Sequence, residues 1–245
     1  MPAHGRAIWA VLGLFVIASS CGEAPKTEES PRTTKNKTEG ARDGQAIPPD
    51  RPDLTAQELR FRLFPWLSRG VADRPSEPPV AGLLRFAAGV DLQILPRIRE
   101  GAYYRDATEA ELRSIDTVGV PREQIYRENL ARLFREASPL TVIGDPSGMR
   151  FIEFDTALAG SEALILLPEL WDSVERTLGR EAILALPDRG MCRFLPAGPW
   201  NFVTEMAPTF IERHEGASAP LAGTLLFRDG GTIRRGHTFE SLAGH

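Results

Sequence analysis

The hydrophobic positions of the chain change their period along its length, and each period predicts an element. Over residues 121–138 the apolar residues fall at positions i, i+4, i+7, i+8 and i+11, which is the single stripe of an amphipathic helix. They are Tyr126, Leu130, Leu133, Phe134 and Ala137. Pro121 suits the first turn of such a helix, so we expect a structural helix with a solvated charged face.

Three more segments have helical patterns. Thr55 and Glu58 stand at the spacing of a capping box, which predicts that the first of these helices begins there. The three segments are residues 54–64, kinked or ended by Pro65; residues 161–179, helical on both sides of Pro168; and residues 200–214, interrupted near Pro208.

Shorter apolar runs separated by turn residues predict three β-hairpins. Their turns lie at residues 145–148, 187–190 and 229–231, where Asp, Pro and Gly stand at positions that tight turns favour. Residues 90–98 are a further candidate strand. Helices that alternate with hairpins favour an antiparallel α+β fold over a doubly wound parallel sheet.

Residues 1–21 have the layout of a secretory signal peptide. A short segment containing Arg6 precedes a dozen apolar residues, and Ser19, Ser20 and Cys21 follow. A helix of a dozen residues rises roughly 18 Å, whereas the core of a bilayer is about 30 Å thick. The segment is therefore too short to be a comfortable permanent span.

The end of this segment, Ala18 to Cys21, resembles the lipobox of bacterial lipoproteins. The resemblance implies cleavage before Cys21, a diacylglycerol on its sulfur and an acyl chain on the new amine. The commonest lipobox has Leu where this chain has Ala18, and Gly or Ala where it has Ser20. A plain signal peptide, in which Cys21 is accidental, and a short uncleaved anchor remain as alternatives.

The residues after Cys21 predict a tether. They are rich in Pro, Thr, Ser, Glu and Lys and poor in large apolar side chains, so they bury too little surface to offset the entropy of ordering. We expect a signal peptide at 1–20, a disordered tether at 21–54 and one α+β domain at 55–245. A coil of this length reaches about 30 Å on average.

Charge and motifs exclude several classes of function. The net charge of −4 argues against a nucleic-acid partner. The histidines after the signal form no zinc-binding spacing, and the chain has no nucleophile elbow, Walker loop or GxGxxG motif. We therefore predict no metal and no cofactor. If Cys21 is lipidated, Cys192 is left without a disulfide partner, and its apolar strand pattern favours a buried structural thiol over a nucleophile.

Residues 119–195 resemble the YtpQ-like family of bacterial proteins of unknown function. Three patterns carry the resemblance: the helix end over residues 126–133, the segment 161–174 after a hairpin, and the strand pair over residues 182–194. Pro187 and Arg189 match the family's turn, whereas Gly190 stands where the family has Asp. The resemblance implies an α+β domain and no known reaction.

Two places are candidate contacts with a ligand or partner. Asp188 and Arg189 form a polar pair at the end of a strand, where loops often carry function. Trp200 is an aromatic side chain suited to lining a groove. The structural alternatives are a plain turn for the first pair and core packing for the tryptophan. No catalytic residue is predicted.

These features favour a non-enzymatic envelope lipoprotein. We expect the membrane to hold it through Cys21, with a protein of the envelope as its partner. Gly22, rather than Asp, follows the cysteine; by resemblance to enterobacterial lipoproteins this permits a place on the periplasmic face of an outer membrane, if the cell has one. The alternatives are an anchored hydrolase with an unrecognised site and a structural spacer.

Overall fold

A computed structural model describes residues 54–70, 82–137, 140–144, 149–154 and 160–244. All of these belong to the compact unit Arg51–His245. The predicted signal peptide, Cys21 and nearly all of the predicted tether lie outside the described residues, as does the first hairpin's turn.

The described residues form ten strands, six α-helices and one 3₁₀ helix. The strands are β1 (Leu63–Arg69), β2 (Arg85–Phe86), β3 (Leu92–Glu100), β4 (Tyr103–Asp106), β5 (Leu140–Gly144), β6 (Arg150–Phe154), β7 (Ala182–Asp188), β8 (Met191–Pro196), β9 (Thr224–Asp229) and β10 (Thr232–Thr238). The α-helices are α1 (Ala56–Arg62), α2 (Glu109–Asp116), α3 (Arg122–Ala137), α4 (Pro168–Leu178), α5 (Trp200–Gly216) and α6 (Phe239–Ala243), and the 3₁₀ helix is Ser161–Leu166.

The strands form two sheets. One has three strands in the order β1-β3-β4, and the other has seven in the order β2-β10-β9-β7-β8-β6-β5. Every pair is antiparallel except the short pairing of β2 with β10, which is parallel. The predicted α+β class, with its antiparallel hairpins, is confirmed.

The central strand β7 is buried along its whole length because helices cover both faces of the large sheet. On one face Leu184 packs in a core with Trp171 of α4. On the other face Ile183 packs in a second core with Phe210 of α5. The third core joins the small sheet to α1, α2 and α3. A cleft lies at each end of β7.

Two prolines behave differently from the sequence prediction. α1 ends at Arg62, and Pro65 lies inside β1, opposite Pro96 of β3. Since β1 is an edge strand, a missing N–H there breaks no ladder. α5 continues through Pro208. This residue lies on the exposed side of the helix, whereas Ala207 and Phe210 are buried. Packing against the sheet therefore holds this helix across a residue that removes one of its hydrogen bonds.

In the part of the chain that the structure describes, no helix has the length and apolar character needed to cross a bilayer.

Candidate functional site

An open groove of about 910 Å³ lies at the start of β7, on the face of the large sheet that α5 covers further along. Ala182 and Ile183 of β7 and Leu225 and Phe227 of β9 form its floor. Ile183, Leu225 and Phe227 lie on the face of the sheet that carries the second core, whereas Ala182, one residue before Ile183, belongs to the core on the other face. The groove exists because α5 begins only at Trp200, which stands at its wall.

Trp200 and His237 form the aromatic wall of the groove. Trp200 is 47% exposed, and its ring meets the His237 ring edge to face, with 5.5 Å between centroids. The pairing of β10 with β9 shifts register between Arg235 and Thr238. A bulge of this kind re-aims a side chain, and here it brings His237 into the groove lining.

Charged side chains form the rim of the groove. Glu175 and Arg228 pair at 2.6 Å, and Asp229 pairs with Arg234 at 2.8 Å. Glu181 is exposed and has no ion pair with any described residue. An exposed carboxylate beside an apolar floor suits a ligand that carries a positive charge next to an apolar group.

Asp188 lies at the opposite end of β7 and faces a different, polar cleft of about 530 Å³. Its carboxylate accepts a hydrogen bond from the Gly190 backbone N–H and pairs with Arg213 of α5 at 3.3 Å. A Cβ on Gly190 would lie 3.1 Å from Asp188 Oδ1 and 3.2 Å from Arg213 Nη2. A side chain at position 190 would therefore crowd this ion pair.

Arg189 also lines that cleft, but its guanidinium group is held by partners inside the protein. Its guanidinium donates to Glu162 and to the Leu67 backbone carbonyl, and it stacks on Trp66 with 4.1 Å to the ring centroid. Glu162 is only 2% exposed. Burial raises the pKa of Glu162 and lowers the pKa of Arg189, and their mutual attraction offsets part of both shifts. Arg189 thus ties its turn to the 3₁₀ helix and to β1.

The structure does not bring the three predicted contact residues into one site. Asp188 is the last residue of β7 and Arg189 follows it, whereas Trp200 lies beside the first residues of the strand. Seven residues of strand span about 20 Å. Asp188 reaches a cleft, Arg189 is mostly internal, and Trp200 belongs to the groove.

The remaining candidate residues have plainer surroundings. Cys21 lies outside the described residues, and Cys192 is fully buried within β8. Burial raises the pKa of the Cys192 thiol. Among the described residues, no group of His, Cys, Asp and Glu is arranged to hold a metal ion.

The sequence did not predict that His237 and Glu181 line the groove, or that Glu162 pairs with Arg189. His237 belongs to no histidine motif in the sequence, and the only local signal for its position is Gly236, beside the bulge. Glu162 meets Arg189 across 27 residues of sequence, so no local pattern predicts the pair. Comparisons of the chain with protein-family models, with curated proteins and with solved structures find no match.

Proposed function

We propose that this chain is a membrane-anchored envelope lipoprotein whose folded part binds another envelope protein and is not an enzyme. The anchor in this proposal is lipid on Cys21, supported by the lipobox-like residues 18–21. The observation that supports the binding role is the half-exposed Trp200 at the wall of an open apolar groove.

The shape of the groove favours a protein segment as its occupant. Its volume of about 910 Å³ is near the upper end of the range for small-molecule pockets, and it is partly open to solvent. Exposed tryptophans beside apolar surface are the side chains that most often dominate the free energy of protein association. The described lining residues carry carboxylates and an imidazole but no hydroxyl, thiol or lysine side chain.

The charged residues at the rim of the groove restrict the kind of protein segment that can bind there. Glu181 has no ion pair among the described residues, while Glu175 and Asp229 have arginine partners. A partner segment with an apolar or aromatic side chain next to Lys or Arg would fill the floor and pair with Glu181. The pair would lie at the rim, where it contributes more to the association rate than to affinity.

Site-specific crosslinking tests this proposal in the membranes of cells that make the full chain. His237 is replaced by p-benzoylphenylalanine, because its ring contacts Trp200 inside the groove. Tyr103, which is 79% exposed on β4 and away from the groove, is replaced in the same way as the matched control.

We expect one adduct of constant mass from position 237, none of that mass from position 103, and a large loss of the adduct when Trp200→Ala is added. Identical adducts from both positions, or an adduct that Trp200→Ala leaves unchanged, would contradict a partner bound in the groove. Absence of any adduct from position 237 would contradict it as well.

A further inference from the structure

A patch of three aromatic rings lies on the small sheet, on the face opposite α2. Phe64 and Trp66 of β1 and Tyr104 of β4 form it, and we call it the aromatic platform. The Tyr104 ring lies 5.8 Å from the Phe64 ring and 5.2 Å from the Trp66 ring, between centroids. Leu63 and Ile98, which alternate with these positions, pack on the other face with α2.

Four guanidinium groups surround the aromatic platform, two over each of two rings. Arg97 and Arg189 lie 4.6 Å and 4.1 Å from the centroid of Trp66. Arg99 and Arg132 lie 5.8 Å and 6.0 Å from the centroid of Phe64. They come from β3, from the β7–β8 turn and from α3, so the fold assembles like charges from three separate segments.

The two arginines over Trp66 have close carboxylate partners. The positive charges of the two arginines over Phe64 are only weakly compensated by carboxylates. Arg189 pairs with the buried Glu162, and Arg97 pairs with Asp106 at 2.9 Å. Arg132 donates from Nη2 to the Phe61 carbonyl at 2.7 Å, and its one carboxylate partner among the described residues is Glu136 at 4.0 Å, which is 58% exposed. Arg99 donates its Nε–H to the Gly101 carbonyl at 3.1 Å and has no ion pair with a described residue. Two positive charges above one ring thus keep unused N–H donors.

Tyr104 adds a neutral donor to the same place. Its hydroxyl makes no hydrogen bond to any described residue, although its ring is half-buried between Phe64 and Trp66. Burial raises the pKa of Tyr104, so the hydroxyl keeps its proton at neutral pH. The hydroxyl lies beside Gly160, and the charges of Arg99, Glu162 and Arg132 all act on it, so one carboxylate shares its surroundings with the two arginines.

We propose that Arg99, Arg132 and the Tyr104 hydroxyl bind a phosphate group on the solvent side of the two guanidinium groups, which lie between it and the buried Phe64 ring. Guanidinium forks match the oxygens of phosphate, and hydrogen bonds between charged groups are about twice as strong as neutral ones. The aromatic floor holds the arginines in place through cation–π contact. This site is separate from the Trp200 groove and does not depend on the partner proposed there.

The probe for this site is inorganic phosphate, titrated into the full mature chain in phosphate-free maltoside micelles and followed by calorimetry. We expect saturable binding at one site. Arg99→Gln and Arg132→Gln should each weaken it roughly tenfold or more, and Tyr104→Phe by a smaller factor. Arg113→Gln removes an exposed arginine from α2, on the other face of the small sheet, and should leave the affinity unchanged.

Folding of each variant is checked by its thermal unfolding midpoint. Arg99→Lys serves as the second variant, since it keeps the positive charge but loses the fork. It should bind with intermediate affinity if the geometry of the fork matters. Equal weakening by Arg113→Gln and Arg99→Gln, at unchanged folding, would overturn the site because it would show only a general charge effect.

Micelles doped with phosphatidylglycerol distinguish a lipid headgroup from a soluble phosphate. If the lipid weakens phosphate binding by the wild type through competition, the site takes a headgroup. If phosphate binds with the same affinity with and without the lipid, the site takes a soluble phosphate ester. Failure of phosphate to bind in either micelle, with the wild-type chain folded, would overturn the proposal.

Discussion

At the scale of single residues, Arg189 shows how far a side chain's role can depart from its position in the sequence. Its turn, between Asp188 and Gly190, predicts an exposed polar pair. The side chain instead reaches Glu162, which is 27 residues away, and the Leu67 carbonyl, which is 122 residues away. Removing one member of such a pair leaves an uncompensated charge in a buried place.

We expect Arg189→Met to lower the free energy of unfolding by about 3 kcal/mol at pH 7, as for other half-broken buried pairs. The loss should shrink as the pH falls toward 4. Burial already holds the folded-state pKa of Glu162 above its ordinary value. An acid with a raised pKa stabilises the fold below its unfolded-state pKa, and this stabilisation disappears as the pH rises through the folded-state pKa.

Urea unfolding at several pH values measures this effect. The double variant Glu162→Gln/Arg189→Met is the control, because it has no buried charge and should recover most of the lost stability. A loss that does not change with pH, or a double variant as unstable as the single one, would contradict the assignment.

Cys192 is a second case in which the surroundings determine the chemistry of a residue. It is fully buried, and burial raises the pKa of its thiol, so the reactive thiolate is scarce. We expect a maleimide to leave Cys192 unlabelled in the folded protein and to label it fully in guanidinium. Cys192→Ala should lower stability by about 1–2 kcal/mol through the lost packing. Rapid labelling of the folded chain at Cys192 would contradict its burial.

At the scale of elements, α2 shows one side chain with two roles. Thr108 and Glu111 form a complete capping box. Glu111 also binds Arg105 of β4 through two hydrogen bonds, of 2.8 Å and 2.5 Å, and this holds the pKa of Glu111 down at about 2. The helix start and the edge of the small sheet are therefore connected through one carboxylate.

Glu111→Gln should keep the cap and lose the ion pair, since Gln also serves at this position of a capping box. A lowered pKa contributes stability that is complete above about pH 4.5 and is lost as the pH falls toward 2. We expect the variant to be less stable by about 0.5–1 kcal/mol at pH 7, because the pair is partly exposed to solvent.

The difference between the wild type and this variant should vanish near pH 2, as measured by thermal unfolding. Glu109→Gln, an exposed carboxylate in the same turn, is the control and should cost little. A difference that stays constant from pH 7 to pH 2 would show that the ion pair is not its cause.

The elements that the sequence predicts correctly are those with a local signal. The three hairpins, α3 and the break at Pro168 follow from turn residues and period, and Gly179 closes α4 in a left-handed conformation. β2 has only two residues and pairs with β10, which is far along the chain, so no local sequence pattern predicts it. The capping box of Thr108 and Glu111 is a local sequence signal for the start of α2.

Two charged side chains of α3 pair with residues of other helices. Glu128 and Arg132 are spaced for a pair within the helix, yet Glu128 pairs with Arg60 of α1 at 2.7 Å. Arg127 likewise pairs with Glu169 of α4 at 2.7 Å. Sequence spacing identifies neighbours on one helix, but tertiary packing offers partners that the spacing cannot reveal.

The same limit applies to the candidate site. Trp200 is identifiable as an aromatic residue near a break, but its groove depends on β7, β9 and the bulge of β10 meeting in space. The grouping of Arg99 with Arg132 depends on α3 lying against the small sheet. The sequence alone therefore identifies Trp200 in the wall of the groove, and the other lining residues are identified only from the fold.

At the scale of the whole molecule, the proposed anchor at Cys21 precedes a folded part whose groove we propose as the binding site. The lipobox-like residues and the apolar segment before them carry the anchor proposal, and both lie outside the described residues. Several acyl chains on one residue give effectively permanent attachment, whereas a single chain holds a protein only marginally. A tether of coil would then give the groove a reach of about 30 Å from the bilayer.

The most direct test of this account is mass spectrometry of the N-terminal peptide of the mature protein, from cells grown with labelled palmitate. We predict a peptide that begins at Cys21, carries diacylglycerol and the label, and comes from the membrane fraction. Cys21→Ser should lose the label and the membrane association together. An unmodified Cys21 in a protein recovered from the soluble fraction would contradict the account.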